Sequence, residues 1–257
     1  MNFASFRVFL IRALTVARTE IAALTAMLVA AGGVLAFIEI ADDMTEADGQ
    51  AFDHQVLALM RPYADDPGRP WGPWWLKEAA ADITSLGGIS VLGLFAAIVI
   101  LFLLSQRKWL SSILLAVGLA GGVGLSEGLK AVFERERPPA AMQAVETINA
   151  SFPSGHALLS TVFYLSVAVM LTRAFPGRKS KIFVLGVGIV MALLVGLTRI
   201  YLGAHWASDV FAGWAVGAAW AMALWLFAYG VARWQRRRQA PLQDEPSLET
   251  VSAATKV

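Results

Sequence analysis

The sequence predicts an all-α membrane protein, a polytopic bundle in which six helices cross the bilayer. Of its 257 residues, 57% are hydrophobic and only 16% are charged, and the mean hydropathy of +0.61 is well above that of a soluble domain. Six apolar runs approach or exceed the length of a transmembrane helix, at residues 21–38, 83–105, 109–133, 155–171, 182–197 and 206–234. Basic residues punctuate these runs instead of forming one patch, which indicates membrane topology and not binding to nucleic acid.

The first and last runs carry further signals. Run 21–38 is longer than the core of a signal peptide, and no small-residue cleavage pattern follows it, so we expect a retained helix. In run 206–234, Gly213 and Gly217 form a pair of small residues that predicts close contact with a neighbouring helix. The chain has no cysteine, which excludes a disulfide framework and a thiolate metal site.

Two polar segments are predicted to lie outside the bundle. The acidic, proline-rich segment 41–82 is predicted to be a long extramembranous loop. Within it, the spacing of four apolar residues is compatible with a short surface helix, and they are Phe52, Leu57, Leu59 and Met60. Three tryptophans predict either an anchor at headgroup level or the lining of an access path for a lipid tail, and they are Trp71, Trp74 and Trp75. The polar tail 239–257 is predicted to be disordered, which leaves 1–238 as the transmembrane domain.

The distribution of Lys and Arg predicts the orientation of the bundle. Most of them lie in the amino-terminal segment, the turn 106–108, the loop 173–181 and the stretch 233–238. The positive-inside rule places these segments, and with them both termini, in the cytoplasm. The connection 134–154 and the stretch 198–209 then lie together on the extracytoplasmic face.

The stretch 198–209, with the sequence TRIYLGAHWASD, is rich in residues that can do chemistry. Asp209 follows His205 by four residues, so on a helix the carboxylate and the imidazole share one face within hydrogen-bonding distance. A carboxylate in that position orients an imidazole as a base or a nucleophile. Arg199 adds a cation to the same stretch.

Two further stretches on that face add cations and the start of a helix. Lys130 lies near the end of the third run, and Arg137 lies in the connection after it. Ser154 and Gly155 open the fourth run just before His156, where free backbone N–H groups and the helix dipole favour an anion. Cations and N–H donors suit a phosphoryl group, because its three equatorial oxygens carry the charge of the transition state. The three stretches therefore predict a phosphate site.

These spacings resemble the three signature motifs of the type 2 phosphatidic acid phosphatase superfamily, whose members include membrane lipid phosphate phosphatases. The matches are Lys130, Arg137 and Pro138 for the first motif, Pro153, Ser154, Gly155 and His156 for the second, and Arg199, His205 and Asp209 for the third. The motifs cover residues 130–209, and the layout of six runs extends the resemblance to most of the chain. Thr198 departs from the pattern, because the third motif usually begins with serine.

The resemblance implies a role for each matched residue. His205 would attack phosphorus and form a phosphohistidine, Asp209 would orient it, and His156 would protonate the leaving oxygen and later activate water. The phosphoryl oxygens would be held by Lys130, Arg137, Ser154, the Gly155 amide and Arg199. Neither a metal nor another cofactor is expected, because these cations would do what Mg²⁺ does in other phosphoryl-transfer sites.

Some neighbouring polar residues have simpler predicted roles. Glu127 and Lys130 are three residues apart and are predicted to pair on one helix face. Arg135 is predicted to extend its charge to the membrane surface and not to bind substrate. His54 has no spaced partner and is predicted to be an ordinary polar residue.

The expectation that results is an integral membrane phosphatase with its active site on the outer face of the cytoplasmic membrane. It would hydrolyse a lipid phosphate or diphosphate that enters sideways from the bilayer, and it would release inorganic phosphate. Its partners would be that lipid and the bilayer. Phosphatidic acid, phosphatidylglycerol phosphate, a polyprenyl diphosphate and a lipid A phosphate all fit this pattern, and the oligomeric state is left open.

Three other functions are compatible with the pattern. A phosphotransferase would pass the phosphoryl group from the same phosphohistidine to the hydroxyl of a second lipid. A non-catalytic transporter would use the charges only to recognise an anion, although the runs show no clear inverted repeat and such charges are expected nearer the midplane. A haloperoxidase with vanadate in the pocket ranks last, because those relatives are soluble.

Overall fold

The protein is all-helical over the residues described by the computed structural model, which are 3–145 and 149–239, with the backbone alone described for 3–19, 236, 237 and 239. The helices are α1 (Phe3–Asp43), α2 (Ala47–Met60), α3 (Trp74–Ser85), α4 (Ile89–Ser105), α5 (Trp109–Phe133), α6 (Gly155–Thr172), α7 (Arg178–Tyr201) and α8 (Ala207–Gln239). A short 3-10 turn lies at Ala140–Met142. No strand occurs in the described ranges, and the predicted all-α fold is confirmed.

Five helices have the length and composition to cross a membrane. They are Glu20–Asp43, Trp109–Phe133, Gly155–Thr172, Arg178–Tyr201 and Ala207–Gln235. The remaining predicted run, 83–105, is divided between α3 and α4, which are bent by 48° where they meet. The described chain therefore has five spans, or six if the bent pair counts as one, and the predicted polytopic bundle is confirmed.

The break between α3 and α4 occurs where two glycines pack against neighbouring helices. A Cβ on Gly87 would lie 2.3 Å from Cγ1 of Val195 in α7 and 3.3 Å from the backbone oxygen of His156 in α6. Gly88 caps the amino end of α4 in an extended conformation. The predicted span 83–105 therefore contains a bend near its start, and an uninterrupted apolar run does not reveal which glycines must approach other backbones.

The segment 41–82 is mostly helical and not an extended loop. Helix α1 continues to Asp43, α2 follows within it, and α3 begins at Trp74. The predicted surface helix is confirmed by α2, in which Leu57 is buried and Leu59 is exposed. The rings of all three tryptophans are more than half exposed, as both of their predicted roles require, and they are Trp71, Trp74 and Trp75.

Helix α6 lies at the centre of the bundle and contacts α4, α5, α7 and α8. The residues that α6 contributes to the hydrophobic core include Leu158, Leu159 and Val162. The predicted close contact of α8 with a neighbouring helix is present. A Cβ on Gly213 would lie 2.6 Å from the backbone oxygen of Ser154, which caps α6, and a Cβ on Gly217 would lie 2.7 Å from that of Leu158 in α6. This contact holds the amino ends of α6 and α8 together, and the candidate site lies at those ends.

The boundary between a domain at 1–238 and a cytoplasmic tail stays a prediction. Residue 239 ends α8, and residues 240–257 lie outside the described part of the chain.

Candidate active site

The three motif stretches meet at one end of the bundle through hydrogen bonds to backbone oxygens. The N–H of Ser154 donates to the carbonyl oxygen of Asp209 at 2.9 Å, which joins the second stretch to the third. Nη1 of Arg137 donates to the carbonyl oxygen of Ala204 at 2.7 Å, which joins the first stretch to the third. The predicted convergence therefore arises from contacts between residues far apart in the chain.

His205 and Asp209 are in contact, but not through the helical geometry that the sequence predicted. His205 precedes α8 in the turn after α7, and Asp209 is the third residue of α8. Oδ2 of Asp209 lies 3.3 Å from Nδ1 of His205 and accepts the N–H of Trp206 at 3.0 Å. The carboxylate thus reaches back over the free amino end of α8, as a residue in the first turn of a helix does when it caps that end. The predicted shared helix face was wrong, while the predicted contact is present.

A glycine makes the turn before His205 possible. Gly203 has a φ of +67°, in the left-handed region that disfavours side chains. A Cβ at this position would also lie 2.4 Å from the carbonyl oxygen of Met142 and 2.7 Å from Nη2 of Arg61. The turn therefore packs directly on the 3-10 segment that follows α5, and this fixes the direction of the next residues.

The imidazole of His205 is neutral and has one nitrogen available for chemistry. A carboxylate only accepts hydrogen bonds, so Nδ1 carries the proton that faces Asp209 and Nε2 carries the lone pair. Nη1 of Arg137 lies 3.3 Å from that Nε2. Burial lowers the pKa of His205 to about 4 even though Asp209 opposes the shift. At neutral pH the site therefore presents an uncharged imidazole nitrogen beside a guanidinium.

Arg199 is a buried cation with little compensation from the protein. Its side chain is only 6% exposed, and Nη1 donates to Oγ1 of Thr84 in α3 at 3.2 Å. Its Nε is buried and has no hydrogen-bond partner within the described residues. None of the ion pairs found in those ranges includes Arg199. A buried donor without a partner is costly, so this atom suits an anionic ligand.

Arg137 is held by backbone oxygens. Besides its contact with Ala204, its Nε donates to the carbonyl oxygen of Asn149 at 2.8 Å. Burial lowers the pKa of the Arg137 guanidinium, while the nearby charge of Asp209 opposes that shift. These backbone oxygens orient the guanidinium beside His205.

Lys130 lies beside the amino end of α6. Its Nζ is 2.8 Å from Oε1 of Glu127, so the predicted pair on α5 is present, with Glu127 the more exposed partner. A Cβ on Gly155 would lie 3.6 Å from the same Nζ and 3.0 Å from Oγ of Ser126. The glycine thus keeps the space between Lys130 and the first turn of α6 free of a side chain.

The amino end of α6 has the features of an anion site. Ser154 is the N-cap, fully buried, and its side chain accepts the N–H of Ala157 at 3.5 Å. This leaves N–H groups of the first turn, with the positive end of the helix dipole, directed at the site. The ring of His156 interacts electrostatically with four of the predicted residues, namely Lys130, Arg137, Arg199 and His205. All eight predicted site residues are therefore brought to one place.

Arg135 is an interior ion-pair residue and does not extend to the membrane surface, so the prediction for it was wrong. Its Nη1 is 2.6 Å from Oδ1 of Asp209, and its Nη2 is 2.7 Å from Oδ2 of Asp53 in α2. Asp53 is 1% exposed. The only feature of the sequence that pointed to a role for Arg135 was its position two residues before Arg137. Nothing in the sequence of α2 indicated that Asp53 would pair with an arginine 82 residues later.

Two other polar residues have structural contacts. His54 packs edge-on against the ring of Trp206, with 4.8 Å between centroids, which agrees with its predicted ordinary role. Thr198 donates its hydroxyl to the carbonyl oxygen of Val195 at 2.7 Å within α7. A serine hydroxyl could make the same bond, so the departure from the motif does not alter the cations around it.

Comparison with known proteins identifies one family and several relatives. The sequence model that describes the PAP2 superfamily matches residues 109–233 of this chain. Phosphatidylglycerophosphatase B of Bacillus subtilis (strain 168) is 34% identical over 144 residues, which are 56% of this chain and 70% of that protein. Undecaprenyl-diphosphatase of Sulfolobus acidocaldarius is 32% identical over 123 residues, which are 46% of this chain and 55% of that protein. The crystal structure of a transmembrane PAP2 type phosphatidylglycerolphosphate phosphatase from Bacillus subtilis superposes with a TM-score of 0.72 at 27% identity, and covers 79% of this chain and 98% of that one.

Proposed function

This chain belongs to the PAP2 superfamily, and we propose that it hydrolyses a membrane lipid phosphate or diphosphate through a phosphohistidine formed on His205. The family predicted from the motifs is confirmed, and the chain is a membrane phosphatase that acts on lipid phosphates. The proposal adds the intermediate, the role of each residue and the class of lipid.

Substrate binding begins with the terminal phosphoryl group. Its oxygens would take the hydrogen bonds that the free protein leaves open, above all at Nε of Arg199. Arg137 and Lys130 would complete a cationic clamp, and the first-turn N–H groups of α6 would supply further donors. The group would thereby be held with its phosphorus facing Nε2 of His205.

The first chemical step transfers the phosphoryl group to His205. The lone pair on Nε2 forms a bond to phosphorus while the bond from phosphorus to the lipid oxygen breaks. His156 gives a proton to that oxygen, so the lipid leaves as an alcohol or as a lower phosphate. The imidazole gains positive charge as it bonds to phosphorus, and the Asp209 carboxylate beside Nδ1 stabilises that charge.

The second step restores the enzyme. His156, now deprotonated, accepts a proton from water as the water oxygen attacks phosphorus. The bond between phosphorus and Nε2 breaks, inorganic phosphate is released, and His205 returns to its neutral form. Each residue ends the cycle in the protonation state in which it began.

One observation carries this proposal. A buried, neutral imidazole is oriented by a carboxylate at Nδ1, and its Nε2 has a guanidinium 3.3 Å away with a second, uncompensated guanidinium nearby. Among common biological groups, a phosphoryl group suits both the imidazole nitrogen and Nε of Arg199, which has no partner within the described residues.

The lipid class follows from where the site lies. The site is at the ends of membrane-spanning helices, where a headgroup can reach it while the tails stay in the bilayer. The named relatives act on phosphatidylglycerophosphate and on undecaprenyl diphosphate, so these two are the first candidates for this chain. The arrangement of basic loops supports an extracytoplasmic site on a cytoplasmic membrane.

The test is an assay of purified protein in detergent with four lipids: phosphatidic acid, phosphatidylglycerol phosphate, undecaprenyl diphosphate and lipid A phosphate. We expect release of one phosphate for each lipid lost, and we expect His205→Gln to abolish release without lowering the melting temperature of the protein. Arg173→Met is the control, because Arg173 is exposed at the opposite end of α6. Turnover by His205→Gln would overturn the phosphohistidine, and loss of lipid phosphate without free phosphate would indicate transfer to a second lipid.

A further inference from the structure

Arg135 is the centre of an ion-pair cluster that lies behind the proposed nucleophile. It follows α5, and its guanidinium contacts Asp209 and Asp53 through different nitrogens at 2.6 and 2.7 Å. Nη1 also donates to Oγ of Ser208 at 2.7 Å. The guanidinium therefore binds two carboxylates at once, one from the site and one from α2.

Asp53 brings a helix that does not cross the membrane into this cluster. Helix α2 is not among the helices that can span the bilayer. Oδ1 of Asp53 accepts the N–H of Ser208 at 2.9 Å, and Oδ2 accepts the hydroxyl of the same serine. The carboxylate is thus fully engaged by the first turn of α8 and by Arg135.

The cluster fixes the orientation of the Asp209 carboxylate beside the proposed nucleophile. Arg135 occupies Oδ1, so Oδ2 is left for Nδ1 of His205 and the N–H of Trp206. A carboxylate bound at only one oxygen can rotate, whereas this one is held at both. The tautomer of His205, and hence the direction of its lone pair, depends on that orientation.

We propose that Asp53 and Arg135 are positioning residues for the phosphoryl transfer, and that α2 is thereby part of the catalytic centre. This inference rests on the proposed function of His205. Neither residue touches the substrate, and both act through Asp209.

The charges of the cluster give a sharper consequence. Two carboxylates and one guanidinium carry one net negative charge, which offsets the positive charge that His205 gains when Nε2 bonds to phosphorus. Neutralising Asp53 alone leaves no net charge and lets Arg135 compete with His205 for Asp209. Neutralising Arg135 alone leaves two buried carboxylates that repel each other. Neutralising both restores one net negative charge.

The experiment compares Asp53→Asn, Arg135→Gln and the double variant with Asp48→Asn, a matched control because Asp48 is an exposed aspartate in the first turn of the same helix. We measure kcat, KM, the melting temperature and the amount of phosphohistidine trapped in a single turnover. Asp53→Asn is expected to lower kcat by about 10- to 100-fold, as the loss of a partner behind a catalytic group does elsewhere, with little change in KM. The double variant is expected to have a higher kcat than Arg135→Gln alone, because the two losses are not independent.

The outcomes separate positioning from a structural role. If Asp53 only caps α8, its replacement lowers the melting temperature while kcat stays at the value of Asp48→Asn, and the proposal is overturned. A double variant whose loss is the sum of the two single losses also overturns it. If Asp53→Asn does not fold, Ser208→Ala removes the hydroxyl between Asp53 and Arg135 and keeps both charges. We expect a several-fold lower kcat for Ser208→Ala, and an unchanged kcat overturns the proposal.

A failure of the proposed function can be distinguished from a failure of the proposal for Asp53 and Arg135, because it would be seen in the unsubstituted protein. That protein would then release no phosphate from any of the four lipids, or would do so without forming phosphohistidine.

Discussion

Replacing Arg199 with methionine tests whether the site is built to bind an anion. The substitution keeps an unbranched chain of similar length and removes the guanidinium. Arg199 is 6% exposed and donates to the neutral hydroxyl of Thr84, and its Nε has no partner among the residues that the structure describes. Its burial therefore costs free energy, and no described carboxylate forms an ion pair with it to offset that cost.

The expected result is a large loss of activity without a loss of stability. Removing one preorganised donor from a charged transition state costs about 2.7–4 kcal/mol, which corresponds to a kcat/KM lower by about 10²–10³. The melting temperature is expected to stay the same or to rise, because an unpaired buried cation is replaced by an apolar side chain.

The assay combines lipid phosphate hydrolysis with thermal unfolding at increasing concentrations of inorganic phosphate. Phosphate should raise the melting temperature of the original protein and of Arg173→Met, and should have a much smaller effect on Arg199→Met. If Arg199→Met keeps kcat/KM at the value of the control, or unfolds at a lower temperature with unchanged stabilisation by phosphate, then Arg199 is a structural residue and our interpretation of its unpartnered Nε is wrong.

Three further predictions follow from individual contacts. First, the pKa of His205 lies near 4 in the folded protein, below its ordinary value of 6.5. Between these pH values the unfolded chain binds more protons than the folded protein, so the free energy of unfolding decreases as the pH falls from 6.5 to 4, by at most about 3 kcal/mol. As the pH is lowered from 7 to 4, the melting temperature of the protein should fall below that of His205→Gln, and parallel curves would contradict the shift. Second, His156→Gln should lower kcat for a lipid phosphate by about 10²–10⁴, yet keep a burst of nitrophenolate from p-nitrophenyl phosphate, whose leaving group needs no proton. An equal loss with both substrates would exclude His156 as the acid. Third, Gly217→Val should destabilise the bundle by about 1–3 kcal/mol, because its Cβ would lie 2.7 Å from the backbone oxygen of Leu158, whereas Gly186→Val, where a Cβ meets nothing within 4 Å, should not. Equal melting temperatures for the two valine variants would refute the close contact of α6 and α8.

Much of the fold was predictable because long apolar runs have few stable forms in a bilayer. Five of the six predicted runs lie within single helices, and α2 was indicated by the spacing of its apolar residues. The break at Gly87 was not predictable, because it depends on the approach of Val195, more than a hundred residues later. Hydropathy measures transfer into lipid and not the fit of one helix against another.

The eight residues proposed for the site were identifiable from sequence because their chemistry comes in short local patterns. A lysine and an arginine at fixed spacing, a serine and a glycine that open a helix, and a histidine four residues before an aspartate can each be recognised without a structure. Even so, the local geometry behind one pattern was different. His205 and Asp209 meet across a turn that caps α8, and not on one helical face.

What the sequence alone determined is the membrane bundle, the family, and the set of residues that we propose to bind and transfer a phosphoryl group. What only the tertiary structure decided is how those residues are held. The contacts of Arg135 with Asp53 and Asp209 join three segments that are distant in the chain. The sequence around a charged residue does not indicate which distant residue will pair with it. Local patterns specify chemistry through residue type and spacing, whereas the orientation of Asp209 depends on long-range packing of α2 against α8, which no local spacing encodes.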